Sequence, residues 1–492
     1  MSKKKIVIIG SGFAGLASAA CLAQKGYEVT VLEKNDSVGG RARHFSENGF
    51  MFDMGLSWYW MPGVFEDFFK LFGKKVSDYY QLKRLSPGYV IHFGDGNTME
   101  VPDAKEDIYN LFESKEKGAG EKLRIFLKDA ERKYKISMQD LVFKPSLSIT
   151  EFFNAKVFAN LFKMHLFESF HKYVRRYFTH PDLIKLLEFP ILFLGAKPQN
   201  TPALYSMMNY AGLSAGTYYP QGGMRKVPEA IEELAISLGA KIILNEPASK
   251  IEVENNIATG VWAGKNFYPA DVVISGADYA FTEQNLLEEN YRNYSSNYWG
   301  TRTLAPSALI FYLGINKKIE GLHHHTLFFD SDFEVHAHEI YTDPKWPTDP
   351  LFYLCCPSVS DAAVAPVGSE NLFVLIPLAT DIEDNETMRQ KYYEIVMQRV
   401  EKFSGQSIRN NVVFNKSYCI NDFKNDYNAL RGNAYGLANT LKQTAVLKPS
   451  MRNKKIKNLF YTGQLTVPGP GVPPSLISAQ IVSNLVDKQL KK

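Results

Sequence analysis

Apolar runs and glycines alternate at the start of the chain in an order that predicts a strand, a helix and a second strand. Lys5 to Ile9 is apolar and β-branched, as expected of a strand buried on both faces of a parallel sheet. Leu16 to Gln24 is rich in alanine and leucine and is followed by Gly26, which predicts a helix and its end. Glu28 to Glu33 predicts the second strand, so the stretch forms a βαβ unit.

The turn between the first strand and the helix has the spacing GxGxxG, at Gly10, Gly12 and Gly15. In a dinucleotide-binding unit the first glycine makes a tight turn, the second lets the backbone approach a pyrophosphate, and the third lets helix and strand pack closely. Glu33 ends the second strand, where a carboxylate holds ribose hydroxyls. Because strand, turn, helix and terminal acid agree, the unit is predicted to bind a dinucleotide.

The same residues have a second interpretation, because lysines followed by an apolar run also begin a secretory signal. Glycines interrupt this run, and cleavage would remove the strand that Glu28 to Glu33 needs as its neighbour. No stretch of the sequence approaches the roughly 18 uninterrupted apolar residues of a membrane span. We therefore expect a cytoplasmic protein without a transmembrane segment.

Composition narrows the class of protein further. The 492 residues exceed one compact core, and 45% apolar with 22% charged residues is typical of a globular protein. A net charge of +4 without a dense basic block argues against a nucleic-acid partner. The 33 Phe, 27 Tyr and 5 Trp indicate either a large apolar pocket or an ordinary aromatic core.

The cysteine and histidine positions predict neither a disulfide framework nor a metal site. None of the four cysteines lies in a CxxC pair, which fits a reducing compartment. The only histidine cluster is His323 to His325. Neighbours in an extended run point to opposite faces, so these side chains are not expected to share one ion. We expect a surface or substrate-domain loop there, and no bound metal.

A second glycine motif, Gly39-Gly40-Arg41-Ala42-Arg43, follows the acid. It places a flexible backbone and two guanidinium groups just past Glu33. Arginine suits a diphosphate or a carboxylate because its planar fork donates several aligned hydrogen bonds. A surface turn with two solvated arginines is the alternative. The motif favours FAD over NAD.

Together with Phe52-Asp53-Met54-Gly55, this N-terminus resembles that of FAD-dependent carotenoid desaturases of the phytoene desaturase type, including hydroxycarotenoid 3,4-desaturases, and more distantly that of amine oxidases. Asn458 to Gln480 is similar to the closing FAD motif of these desaturases, in which a strand delivers a glycine to the ribityl phosphate and a turn lies against the flavin ring. Tyr218 to Ile231 resembles their second FAD contact. The resemblance covers nearly the whole chain. It departs at Gly55-Leu56, where many relatives have Gly-Pro.

The resemblance implies an α/β fold with a Rossmann-like FAD-binding domain, a parallel sheet with helices, and a mixed α+β substrate domain. We expect a discontinuous FAD-binding domain of residues 1–75, 215–300 and 415–492. Residues 76–214, mostly helical, and 301–414, mostly strands, would form the substrate region. The FAD contacts predicted from the two glycine motifs and implied by the resemblance are Gly10, Gly12, Phe13, Ala14, Gly15, Glu33, Lys34, Gly40, Arg41, Ala42, Gly55, Ala248, Gly463, Gln464, Gly471, Val472 and Pro473.

A carotenoid desaturase removes two hydrogens from an unactivated hydrocarbon, and hydride transfer to flavin avoids the need for a strong protein base. The resemblance implies a carotenoid substrate and an electron acceptor such as oxygen or a quinone, and no catalytic side chain is assigned. Glu151 and Asp53 are candidate proton acceptors, although Glu151 also completes a capping box with Ser148. A carotenoid isomerase or saturase, a lipid-binding protein of the GDP-dissociation-inhibitor type and an amine-oxidase-like enzyme are the alternatives.

The stretch from Ser148 to Phe178 lacks proline and glycine and predicts one long helix. Aromatic and apolar residues recur along it at three- and four-residue spacing, which suits a bilayer interface. Its basic groups are Lys156, Lys163, Lys172, Arg175 and Arg176. The alternative is an amphipathic helix packed on the substrate domain. We expect a membrane-facing helical part near residues 148–195 and peripheral membrane association.

Overall fold

The structure is a computed structural model that describes residues 3–152, 164–166, 168–440 and 442–491. The strands of the described chain are β1 (Lys5–Ile9), β2 (Glu28–Leu32), β3 (His44–Glu47), β4 (Phe50–Asp53), β5 (Leu82–Arg84), β6 (Tyr89–His92), β7 (Thr98–Val101), β8 (Tyr218–Pro220), β9 (Lys241–Ile243), β10 (Ala248–Glu254), β11 (Ile257–Ala263), β12 (Asn266–Pro269), β13 (Val272–Ser275), β14 (Ser307–Ile315), β15 (His325–Phe328), β16 (Phe352–Cys355), β17 (Glu370–Leu378), β18 (Val412–Tyr418) and β19 (Leu459–Tyr461).

Its α-helices are α1 (Phe13–Gln24), α2 (Pro62–Lys70), α3 (Lys105–Lys115), α4 (Ala119–Ile136), α5 (Phe170–Arg175), α6 (Pro181–Glu188), α7 (Met207–Asn209), α8 (Lys226–Ser237), α9 (Tyr279–Asn285), α10 (Ser296–Gly300), α11 (Phe333–Tyr341), α12 (Glu386–Ser404), α13 (Ile420–Tyr427) and α14 (Val472–Leu490). None of the described helices is both long and apolar enough to cross a bilayer.

A five-stranded parallel sheet forms the first core, in the order β19-β13-β1-β2-β9. Helices α1, α8 and α14 pack on one face, and the antiparallel β10–β12 sheet covers the other. The central strands are apolar throughout because both faces are buried, as parallel sheets require. This arrangement confirms the predicted α/β fold class, and the carboxyl ends of β1, β2, β13 and β19 meet at one edge.

A mixed seven-stranded sheet forms the second core, in the order β18-β14-β17-β16-β15-β6-β7. All its pairs are antiparallel except β15 with β6. Side chains alternate between a face covered by α12 and a face that packs against α3 to α6. Cys355 and Cys356, for example, belong to opposite faces. Strands β6 and β7 come from the stretch that was expected to be mostly helical.

The predicted single helix from Ser148 to Phe178 is wrong for the residues that can be described; residues 153–163 lie outside them. A 3-10 turn spans Ile149–Phe152, and α5 spans only Phe170–Arg175. His165 has a left-handed φ of 50°, and the Ser169 hydroxyl accepts a hydrogen bond from the backbone of Lys172 as a new N-cap. Nothing in the sequence indicated this break, because neither His165 nor Ser169 is a glycine or a proline.

The described aromatic groups of this stretch are mostly buried, whereas its basic groups Lys172, Arg175 and Arg176 are exposed and two of them pair with acids. Arg175 pairs with Glu188 at 2.5 Å and Arg176 pairs with Glu168 at 2.7 Å. The helix α5 residues Phe170, Tyr173 and Val174 are buried in the second core. The packed amphipathic alternative therefore describes α5 better than a lipid-facing helix does.

Candidate active site

The glycine turn after β1 leaves open space beside the start of α1. Gly10 has a φ of +90°. Gly12 directly precedes α1, and no side chain caps the start of that helix. A Cβ on Gly12 would meet no atom within 4 Å, whereas a Cβ on Gly15 would lie 2.0 Å from the Gly10 carbonyl oxygen. A Cβ on Gly40 would lie 3.2 Å from the Gly12 Cα, so the two glycine motifs touch. Free N–H groups above such a space suit a phosphate.

Glu33 lies beside this turn, because β1 and β2 are neighbours and their carboxyl ends meet. Its side chain is buried. One carboxylate oxygen accepts hydrogen bonds from the Ser11 N–H at 2.7 Å and the Ser11 hydroxyl at 2.8 Å, and the other accepts from the Asn35 N–H at 2.9 Å. These bonds orient the carboxylate at the position where a dinucleotide ribose lies.

Arg41 joins the N-terminal and C-terminal motifs. Its guanidinium donates to the Asn433 carbonyl at 3.3 Å. In the amide orientation that satisfies both groups, the Gln464 oxygen accepts from the same guanidinium at 3.2 and 3.1 Å. Burial lowers the pKa of Arg41. Arg43 pairs with Asp426 at 2.5 Å, so the alternative of two solvated arginines is wrong.

The C-terminal motif lies next to the glycine turn. Gly463 follows β19 with a φ of +101°, and a Cβ there would meet only the Ala14 Cβ, at 3.8 Å. Helix α14 begins at Val472 after Gly471, again without a side-chain cap. The structure thus brings together two uncapped helix starts and two glycines, Gly12 and Gly463, whose missing side chains leave space, as a dinucleotide cradle requires.

A cavity of about 680 Å³ adjoins the start of α14. Gly55, Gly471, Val472 and Pro473, all predicted to contact FAD, form part of its wall. Most of the remaining wall is leucine, methionine, proline and aromatic residues, from residues 56–65 and 202–208, from β15 to β17 and α11, and from the segment around the start of α14. Among the described residues no Asp or Glu lines it. Such a space suits an apolar ligand held against the flavin site.

Asp53, one candidate proton acceptor, does not line this cavity. Its carboxylate accepts from the backbone N–H groups of Met224 at 2.8 Å and Arg225 at 3.0 Å. Burial raises the pKa of Asp53 to about 6. The side chain therefore ties the end of β4 to the Tyr218–Ile231 segment, which is a structural role.

Glu151, the other candidate, also lies outside the cavity wall. Its carboxylate accepts from the backbone N–H groups of Ser146 at 2.9 Å, Leu147 at 2.9 Å and Ser148 at 3.2 Å. The Ser148 hydroxyl accepts from the Thr150 N–H at 3.2 Å. These bonds cap the turn that begins at Ile149, as the alternative structural interpretation of Glu151 expected.

Two predicted FAD contacts lie at the margin of the cradle. The Lys34 ammonium donates to the Asn425 carbonyl. Ala248 begins β10 and pairs with Ala263. The assignment of these and the other individual residues to FAD stays a prediction.

The histidine cluster differs from the expectation. His324 and His325 are buried, and one ligand atom from each lies within 4.8 Å of the other and of Cys355. The expectation of opposite faces is wrong because strand β15 begins only at His325, while His324 lies in a bend. The adjacent cysteines gave no CxxC signal, and only the register of β15 on β16 brings Cys355 to His325.

A nucleotide cradle that adjoins a large apolar cavity is the arrangement of a dinucleotide-dependent oxidoreductase. The family model described as flavin containing amine oxidoreductase matches residues 13–486, and the chain belongs to this family. The cradle and the Arg41–Gln464 junction fit FAD, which is the cofactor of this oxidoreductase. The predicted resemblance and cofactor are confirmed.

Two curated relatives match along nearly their whole length. The chain is 39% identical over 485 residues to a carotenoid 3,4-desaturase of Haloarcula japonica, which covers 98% of this chain and 97% of the relative. It is 31% identical over 489 residues to a 4,4'-diapophytoene desaturase (4,4'-diaponeurosporene-forming) of Staphylococcus haemolyticus, covering 97% of each. A solved oxidoreductase from Methanosarcina mazei, at 17% identity, covers 99% of this chain and 100% of its own with a TM-score of 0.64, which shows the shared fold.

Proposed function

We propose that this enzyme is a carotenoid desaturase that introduces the 3,4 double bond into an acyclic or monocyclic carotenoid. The observation that carries the proposal is the large apolar cavity next to the FAD cradle, whose described wall contains no carboxylate. The sequence identity is 39% to a carotenoid 3,4-desaturase and 31% to a 4,4'-diapophytoene desaturase. This difference favours desaturation at the 3,4 position over phytoene-type desaturation.

The charge of the cavity wall supports a neutral substrate. A buried ammonium substrate needs a compensating anion, and the described wall supplies none. The one charged group on the described wall is Lys144, whose ammonium donates to the Glu151 carbonyl at 2.6 Å. His336 also lines the wall, but the Leu351 N–H donates to its Nδ1 and its Nε2 donates to the Pro377 carbonyl. An amine-oxidase-like reaction on a cationic amine is therefore disfavoured.

The side chains of the wall position the substrate and exclude water. The Trp58 ring packs against Phe189 and Tyr353 with ring centroids 6.2 and 5.5 Å apart, and all three residues line the cavity. Burial of a hydrocarbon against such a wall contributes about 25 cal/mol for each Å² of apolar surface removed from water. When bound, FAD supplies the two-electron acceptor for hydride removal from a carbon held against this wall.

The substrate assignment is tested by expressing the enzyme in cells that accumulate phytoene and, separately, a hydroxylated γ-carotene. We expect the second strain to form a product with one additional double bond and two hydrogens fewer by mass spectrometry. Conversion of phytoene alone would replace the 3,4 assignment by phytoene-type desaturation. No desaturation in either strain, with FAD bound to the purified enzyme, would overturn the proposal. Anaerobic double-bond isomerisation by the reduced enzyme would instead identify an isomerase.

Each desaturation releases two electrons, which must leave the enzyme. We infer that oxygen or a membrane quinone accepts them. Turnover is compared in air, without oxygen, and without oxygen but with a soluble quinone. Activity that survives only with the quinone identifies a quinone acceptor, and activity only in air identifies oxygen. Equal activity in all three conditions would contradict both.

We also propose that the enzyme docks peripherally on a membrane near residues 141–147. Phe143 is 45% exposed and Leu147 is 39% exposed, and they flank Lys144 and Ser146, which line the cavity. Exposed apolar groups next to the wall of an apolar cavity suit transfer of a lipid-soluble substrate. The Phe143→Glu, Leu147→Glu double variant should bind anionic phospholipid vesicles at least tenfold more weakly than wild type in co-sedimentation.

The matched control for vesicle binding is Val367→Glu, because Val367 is fully exposed and does not line the cavity. We expect this variant to sediment with vesicles as wild type does. Vesicle binding by the double variant equal to that of wild type, with FAD content unchanged, would contradict docking by this segment.

A further inference from the structure

Three side chains outside the FAD cradle converge beside the cavity wall. His325 and Cys355 are direct partners across β15 and β16, so both point to the same face of the sheet. His324 precedes the strand in a bend, and its ring turns toward the same point. One imidazole nitrogen from each histidine and the Cys355 sulfur all lie within 4.8 Å of one another. All three residues are at most 4% exposed.

The imidazole nitrogens of this cluster are not satisfied within the described part of the chain. Both ring nitrogens of His324 and Nε2 of His325 are buried and have no hydrogen-bond partner there. A buried polar atom without a partner costs roughly 1–3 kcal/mol. Native interiors contain few such atoms, and a bound ion or water usually accounts for them. The two nitrogens of one imidazole point in opposite directions, so a single ion can satisfy at most one nitrogen of His324 together with Nε2 of His325.

We propose that His324, His325 and Cys355 bind a divalent metal ion of the zinc type. Zinc bonds to imidazole nitrogen at about 2.0–2.1 Å and to thiolate sulfur at about 2.3 Å. An ion at the centre of three atoms that are at most 4.8 Å apart lies at most about 2.8 Å from each, so side-chain shifts of about 0.7 Å complete the bonds. Two imidazoles and a thiolate select zinc-type ions over calcium and magnesium, which take oxygen ligands.

The chemistry of binding balances without any redox step. The sulfur–metal bond forms as the Cys355 thiol releases its proton to solvent, and both histidines bind as neutral imidazoles.

Neighbouring side chains hold the side chain of His325 in a fixed orientation. The Tyr353 hydroxyl lies 2.6 Å from Nδ1 of His325, which fixes the orientation of the ring. The His325 ring stacks on Trp58 with centroids 4.1 Å apart and an interplanar angle of 9°.

The ion would act on the cavity wall and not on the substrate itself. Trp58 and Tyr353 line the large cavity, whereas the three ligands do not. An ion that holds His325 holds both aromatic residues through the stack and the hydrogen bond. The proposal is therefore a structural ion that positions the wall, and it stands independently of which substrate the cavity binds.

The test measures metal in the full-length, FAD-loaded enzyme after incubation with excess zinc and exhaustive dialysis. Inductively coupled plasma mass spectrometry should find about one zinc per chain, as expected of a closed His₂Cys site. X-ray absorption at the zinc edge should show one sulfur and at least two nitrogen neighbours. Less than about 0.1 zinc per chain, or zinc without a sulfur neighbour, would overturn the proposal whatever the variants do.

Variants then assign the ligands. The double variant His324→Ala, Cys355→Ala should lose at least nine-tenths of the bound zinc while it keeps FAD. Cys356→Ala is the matched control, because Cys356 is equally buried but faces the opposite side of the sheet beside Glu370. This control should retain zinc. Equal loss in both variants, or full zinc in the double variant, would contradict the assignment.

Discussion

The clearest prediction concerns Gly12, where a larger side chain is compatible with the fold but not with bound FAD. The backbone of Gly12 has φ −66° and ψ 174°, which any residue adopts without strain, and an added Cβ would meet no protein atom within 4 Å. The protein itself therefore tolerates a side chain. The space that the side chain enters is the one beside the uncapped N-terminus of α1, where the FAD pyrophosphate is predicted to lie.

The expected magnitude follows from the hydrogen bonds that the pyrophosphate would lose. Displacing it from two backbone N–H groups removes two charge-assisted bonds of roughly 1.5–3 kcal/mol each. A loss of about 3–6 kcal/mol weakens FAD binding by about 10² to 10⁴-fold. Gly12→Val should show this loss in fluorescence titration of FAD onto the cofactor-free protein, while its own unfolding temperature without FAD equals that of wild type.

Two variants bracket this result. Gly300→Val is the matched control, because a Cβ there also meets no atom within 4 Å but lies away from the cradle, and FAD binding should not change. Gly15→Ala should destabilise the cofactor-free protein itself, because its Cβ would lie 2.0 Å from the Gly10 carbonyl oxygen. Wild-type FAD affinity in Gly12→Val would refute the placement of the pyrophosphate at α1.

Three further changes test the cradle, the buried acid and the cavity. Glu33→Ala should weaken FAD binding about 10- to 100-fold in equilibrium dialysis, since it removes at least one charge-assisted bond to the ribose, worth roughly 1.5–3 kcal/mol; unchanged affinity would remove Glu33 from the site. Burial raises the pKa of Asp53 to about 6 from 3.8, so its contribution to stability is complete below about pH 4 and is lost as the pH rises through about 6. Wild type should therefore lose up to about 3 kcal/mol of unfolding free energy relative to Asp53→Asn across that window, and parallel curves would contradict the raised pKa. Ala337→Phe fills the cavity and should lower turnover at least tenfold with FAD affinity unchanged, whereas Val335→Phe, exposed on the same helix, should not; equal activities would show that the substrate does not use this cavity.

The glycine turn and Glu33 could be predicted from the sequence, because both belong to a motif of residues that are close together in the chain. The glycine spacing after a β-branched run and the acid at the end of the next strand predicted the turn and Glu33 on adjacent strands. The junction of Arg41 with Gln464 was not predictable, because it depends on β19 joining a sheet whose other strands lie far away in the chain. The cavity was indicated only by aromatic composition, which an ordinary core explains equally well.

The two failed expectations share one physical cause. Both expectations continued a regular helix or strand pattern through a residue at which the backbone leaves that pattern, although the residue is neither glycine nor proline. His165 takes a left-handed conformation within the predicted long helix, and His324 bends out of the predicted extended run. In each case the chain turns where the next element begins. Ser169 caps the start of α5 after His165, and β15 starts at His325, which pairs with Cys355, after His324. Such breaks depend on tertiary contacts, which override local propensity.

The cavity wall also limits how a desaturation can proceed in this enzyme. Hydride loss leaves a positive charge on the substrate, and conjugation spreads that charge along the chain. A carboxylate in the wall would fix the charge at one point, and the described wall has none. Aromatic faces such as those of Trp58, Phe189 and Tyr353 instead stabilise a cation by about 0.5–2 kcal/mol each, at several positions along the cavity. The wall thus favours a delocalised charge and leaves the final proton to a weak acceptor, because a charge stabilised by conjugation needs no strong base to remove that proton.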